Sequence, residues 1–199
     1  MLIRQTLFIA FTSLLFASAA NATLILDITG TAGSGQTTWT FSGSAVSGGS
    51  GDFDDDANIE STDVGGSHWD LAKFTVGFLN DLQITASSSN ATLTIGTTTR
   101  AIEDAYIDTD IDPGELDDIG VGVSGSNNFN FAPGDVVSWT GFMTVGLDLN
   151  SLIAGTYNTD VYGVNAGVLD LQVNIVPEPS TALLMLFGLA GLGLRGRSN

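Results

Sequence analysis

The chain has no cysteine, a single histidine and only five lysines and arginines among its 199 residues. Each shortage removes a class of chemistry. Without cysteine there are no disulfide staples, no thiol nucleophile and no thiolate metal site, so stability has to come from a core, from bound ions or from assembly. His68 is the sole imidazole, so a Ser-His-Asp triad would have to use it as base. Its place at the start of an expected strand, beside Trp69 and Asp70, suits a surface or edge position better. Basic residues are scarcer still in the middle of the chain. Between Thr23 and Val176 only Lys73 and Arg100 stand against 21 acidic residues, a net charge of −19 for that stretch. Such a surface is soluble, repels nucleic acid and anionic lipid, and attracts divalent cations or basic partners. No internal segment keeps a helical period, and no glycine-rich loop leads from a strand into a helix. Gly30, Gly33 and Gly35 fall in a turn between strands, a weak phosphate signal.

What the chain has in abundance is alternation. Leu24, Leu26 and Ile28 alternate with Ile25 and Asp27, and Trp39 and Phe41 with threonine and serine. Leu93 and Ile95 lie among threonines, Val121 and Val123 among glycine and serine, and Asn130 separates Phe129 from Phe131. Leu169, Leu171, Val173 and Ile175 alternate with Asp170, Gln172 and Asn174. These period-two patterns, bounded by Gly, Ser, Asn and Asp clusters, predict roughly nine to eleven short strands, each with one buried face. The expected fold class is all-β: a single antiparallel β-sandwich, immunoglobulin-like or jelly-roll, over residues 23–176. A slip in phase between Leu71 and Phe74 predicts a β-bulge within a strand continuing to Phe78. The segment from Asp135 to Leu149 reads as one long strand. The Leu152-x-x-Gly155-x-Tyr157 turn after it is similar to the corner of immunoglobulin-like sandwiches, where a tyrosine hydroxyl ties the corner to the backbone.

Two acidic clusters are candidates for ion binding. Asp108, Asp110, Asp112 and Asp117 have the alternating carboxylates of a calcium loop, and calcium takes about six to eight hard oxygen ligands. The spacing departs from an EF-hand, because glycine falls at the seventh position and Ile119 occupies the twelfth. An acidic, solvated loop closed by Pro113-Gly114 is the alternative. The second cluster, Asp52, Asp54, Asp55, Asp56 and Glu60, lies in a Gly/Ser-rich stretch and reads as a flexible loop. No spacing selects a pair of carboxylates for glycoside hydrolysis, so no catalytic residue is assigned. Trp69 and Trp139 are candidates for a sugar platform, although aromatics in such a fold are mostly core.

Both ends of the chain carry signals. Arg4 precedes an apolar run from Leu7 to Phe16, and Ala20-Asn21-Ala22 offers the small-x-small pattern of a signal peptidase site. Residues 1–22 therefore read as a cleaved secretory signal helix, with Thr23 the new N-terminus. At the other end Pro177-Glu178-Pro179-Ser180 is followed by an uncharged run from Thr181 to Leu194 and then by Arg195 and Arg197. As a helix rising about 1.5 Å per residue this run is ~21 Å long, short of the ~30 Å hydrocarbon core, so its membrane association is weak and transient. Pro177 and Pro179 keep the preceding segment extended, and the two arginines resist translocation.

That tripartite order over residues 177–199 resembles the PEP-CTERM sorting signal of exported bacterial proteins. The resemblance implies processing by exosortase, a membrane-embedded protease-transpeptidase that recognises Pro177, Glu178 and Pro179 as a substrate motif. It further implies export across the inner membrane of a Gram-negative-type bacterium, to the surface or the extracellular matrix. A structural or interaction role linked to exopolysaccharide, without enzymatic activity, is the leading expectation. A carbohydrate-binding module and a carboxylate-based glycoside hydrolase are the alternatives. No cofactor is expected beyond the calcium considered above, and no nucleic-acid partner.

Overall fold

The structure, a computed structural model, describes residues 23–54, 68–109, 116–125, 128–159 and 168–178. The signal helix and the C-terminal hydrophobic helix expected from the sequence lie outside these residues. Among the described residues, none forms a helix long and apolar enough to cross a membrane.

The strands are β1 (Leu24–Gly30), β2 (Thr37–Val46), β3 (Gly51–Phe53), β4 (His68–Leu71), β5 (Leu82–Thr85), β6 (Ser88–Ser89), β7 (Thr92–Ile95), β8 (Thr98–Thr109), β9 (Asp117–Val123), β10 (Phe129–Phe131), β11 (Val136–Val145), β12 (Gly155–Asn158) and β13 (Leu171–Pro177). A short 3-10 turn, Leu149–Ser151, precedes β12. The all-β expectation holds, but the antiparallel sandwich does not. One large mixed sheet runs in the order β12-β13-β1-β2-β11-β7-β8-β9-β4, with β5 added to β8 and β6 to β11, and it is nearly closed into a barrel. The element that makes it mixed is the β1–β13 pair, parallel in register from Leu24 opposite Leu171 to Gly30 opposite Pro177. Local alternation fixes which face of a strand is buried, whereas a parallel partner comes from far along the chain and leaves no local mark. A separate ribbon pairs β3 with β10.

The alternation read from the sequence becomes the core directly. Leu24, Leu26 and Ile28 from β1, Trp39 and Phe41 from β2, and Leu171, Val173 and Ile175 from β13 all point inward and are buried. Large aromatics fill the centre. Trp139 meets Phe41 and Trp69 edge-on at 5.0 and 5.7 Å between ring centroids, and Phe53 packs on Trp69 and Phe131. A buried indole N–H needs an acceptor, and each has one. Trp39 donates to Thr37 Oγ1, Trp69 to the Leu169 carbonyl, and Trp139 to the carbonyls of Ile25 and Ser42.

The expected bulge between Leu71 and Phe74 is instead a change of partner. β4 ends at Leu71, its last residue paired with β9. The chain then crosses to the other edge of the sheet, where Thr75 forms a bridge with Leu152. The Val76 N–H donates to the Ser151 carbonyl at 2.8 Å and the Ile153 N–H to the Phe74 carbonyl at 2.7 Å. This stitch joins the β4 side of the sheet to the β12 side. Phe74 is buried by it, while Val76 and Phe78, expected to continue the strand inward, are 53% and 54% exposed. The corner at Tyr157 is present: its hydroxyl donates to the Ile153 carbonyl at 2.9 Å, and its ring packs edge-on against Phe74.

Candidate functional site

The feature with the most direct bearing on function lies where β13 ends. Pro177 is the last residue of that strand and sits opposite Gly30, the last residue of β1. The Glu178 N–H extends the ladder by one bond, donating to the Gly30 carbonyl at 2.9 Å. Thr31 Oγ1 donates to Glu178 Oε2 at 3.3 Å. The first two residues of the Pro-Glu-Pro sequence therefore rest on the turn between β1 and β2. Pro179 lies outside the described residues.

That turn is itself held. Asp148 Oδ1 accepts from the Gly33 N–H and Oδ2 from the Gly35 N–H, both at 3.0 Å, and Oδ1 also takes the Asn150 N–H at 2.8 Å. Gly33 and Gly35 have φ of 81° and 72°, a left-handed backbone that glycine adopts without strain. Hydrogen bonds to the charged carboxylate favour it. The Asn150, Gly33 and Gly35 amides accordingly hold Asp148 below the usual carboxylate range. The glycine turn was legible in the sequence. Its carboxylate clamp was not, because Asp148 is 115 residues from Gly33.

A depressed folded pKa stabilises the turn above the ordinary carboxylate value, and that contribution disappears as pH falls through the lowered one. In an NMR titration the Gly33 and Gly35 amide resonances are expected to shift together with a midpoint below the ordinary Asp value. A midpoint at or above that value would contradict the clamp.

A shallow cavity of about 180 Å³ adjoins the turn, lined by Ala32, Leu149, Leu152, Ala154, Ile175 and Pro177. It is smaller than the roughly 300–1,000 Å³ of sites that enclose a small molecule.

Of the candidate calcium ligands, Asp110 and Asp112 lie outside the described residues, and the other two are engaged within the fold. Asp117 is 1% exposed. Its Oδ2 accepts from the Phe74 N–H, the Thr75 N–H and Thr75 Oγ1 at 2.7, 2.8 and 2.8 Å. Lys73 Nζ lies 3.7 Å from its other oxygen. Asp108 Oδ1 accepts from the N–H groups of Asp81 and Thr109, each at 2.9 Å. Among the described residues no group of three or more histidine, aspartate or glutamate side chains is placed to hold a metal ion. Beside Asp108, burial and then the negative charge of that carboxylate push the Tyr106 hydroxyl far above its ordinary range. It remains a donor to Asp81 Oδ1.

The second acidic cluster is not wholly a loop. Gly51–Phe53 form β3 because Phe53 is buried against Trp69, and Asp52 accepts from Asn128 on the facing side. Residues 55–67 lie outside the described residues. His68 opens β4 opposite Gly120. Trp39, Trp69 and Trp139 are 0%, 2% and 3% exposed, so the candidate sugar platform of Trp69 and Trp139 is core. Of the expected signal peptidase site, Ala20 and Ala22 are outside the described residues, and Thr23 stands immediately before β1.

Compared with known proteins, the chain matches no curated protein and no solved structure. Its last stretch does match a family description, and the match begins at Val176, the next-to-last residue of β13. Residues 176–198 match the PEP-CTERM protein-sorting motif, and that match supports an exosortase-sorted, exported bacterial protein.

Proposed function

We propose that the processed domain has a structural or interaction role in the exopolysaccharide or envelope layer outside a Gram-negative-type cell, and that it is not an enzyme. The observation that carries the reading is the sorting motif that begins within the end of β13, which implies export of the domain. Proteins with this motif are generally not enzymes. The strongly acidic, cysteine-free composition suits a soluble partner of a hydrated polymer layer. Burial of all three tryptophans takes away the indole faces that a carbohydrate-binding module would most readily use.

The test is made in the producing cell. Replacing Pro177, Glu178 and Pro179 by alanine removes the contacts a processing protease reads, so the processed fraction is expected to fall about tenfold or more, with precursor accumulating. Unchanged processing would refute the assignment of these residues. For the role itself, deletion of the protein is expected to weaken cohesion of the polysaccharide layer without changing its sugar composition. Release of reducing ends from that polysaccharide by the purified protein would overturn the non-enzymatic reading.

A further inference from the structure

We propose that the folded domain holds Pro177 and Glu178 of its own sorting motif and thereby gates its processing, with Gly30, Thr31 and the Asp148-clamped turn forming the surface that withholds them. The proposal rests on the reading of residues 177–179 as the exosortase recognition motif. A protease binds its substrate as an extended segment and satisfies the segment's backbone and side-chain groups itself. Here those groups are already in use. Pro177 is in the β1–β13 ladder, the Glu178 N–H is given to the Gly30 carbonyl, and the Glu178 carboxylate accepts from Thr31.

The surface that holds them is stiff for a reason. Asp148 ties the N–H groups of Gly33 and Gly35, so Thr31 is presented by a fixed turn and not by a wandering loop. The depth of the gate is set by burial. Val176 is 50% exposed and can be peeled away with little apolar loss, whereas Ile175 is 2% exposed and anchors the strand in the core. Release is therefore confined to Val176, Pro177 and Glu178. Because the enzyme can act only on the released fraction, the gate lowers the apparent rate by the undocking equilibrium.

Pulse-chase labelling of the full chain in exosortase-bearing cells tests this with three changes that leave Pro177, Glu178 and Pro179 intact. Thr31→Val keeps the shape of the side chain but removes the donor, and is expected to speed processing about threefold, the worth of one exposed hydrogen bond. Asp148→Asn is expected to act in the same direction by loosening the turn. A Gly-Ser-Gly-Ser insertion between Val176 and Pro177 separates the motif from both contacts, and is expected to speed processing about tenfold. The melting temperature of the Thr31→Val protein should stay at the parent value, which separates local release from general unfolding. Rates equal to or below the parent's in both the insertion and the Thr31→Val chain would overturn the gate. Absence of processing in every chain, the parent included, would instead sink the exosortase reading and the gate with it.

Discussion

Replacing Asp117 by alanine is expected to lower stability by about 4 kcal/mol, and with it the melting temperature by roughly 10 °C. Its Oδ2 accepts three hydrogen bonds inside the fold. Truncation would strand the N–H groups of Phe74 and Thr75 and the Thr75 hydroxyl in a place that water does not reach. An unsatisfied buried donor costs about 1–3 kcal/mol, which makes the loss large. The donors also sit at the stitch where Thr75 bridges Leu152 and draws the two sides of the sheet together. Asp117→Asn keeps the shape and one acceptor oxygen, so about 2 kcal/mol is expected for it. Lys73 contributes little to either figure, because its side chain is 54% exposed and exposed ion pairs are weak. Thermal or urea unfolding of the two variants checks the order. Equal and small losses would show that the three bonds do not carry the closure.

The second large effect is expected at Gly141, where alanine should cost at least about 3 kcal/mol. The residue lies in β11 with φ of 98°, a left-handed conformation that disfavours any side chain. A Cβ there would stand 2.6 Å from the Asn90 carbonyl oxygen and 2.9 Å from the Ala91 Cα. Both obstacles are backbone, so the strands themselves would have to part. Gly134 supplies the control. Its φ is 92°, but a Cβ would meet nothing within 4 Å. Gly134→Ala is therefore expected to cost only about 1 kcal/mol, the conformational part alone. Near-equal losses at the two positions would mean that the close approach at Asn90 is not maintained.

These two residues also mark how far the sequence could be read. The inward faces of β1, β2, β7 and β13 were legible because burial in a strand repeats every second residue and needs no knowledge of partners. Tyr157 was legible for a related reason, since its hydroxyl reaches only four residues back. Asp117 was not. From sequence it is one of a row of aspartates suited to calcium, and its partners become visible only when Phe74 and Thr75 arrive from more than forty residues earlier. The same limit concealed the parallel neighbour of β1 and the grip of Thr31 on Glu178, both long-range. The sorting motif was legible in full as a linear pattern, though not the turn against which its first residues lie.

The parallel pairing of the first and last strands has a consequence for the order of events during export. β13 lies inside the sheet, between β12 and β1, and its partners on β1 stand 147 residues away along the chain. If the chain leaves the cytoplasm N-terminus first, β1 pairs early with β2 but waits for nearly the whole domain before its parallel neighbour β13 exists. Contacts of such separation form late and slowly. The β12-β13-β1 side of the sheet cannot be completed until residues 171–177 have arrived. Completion and arrival of the sorting motif thus coincide: the strand that finishes the fold is the one that carries the motif out.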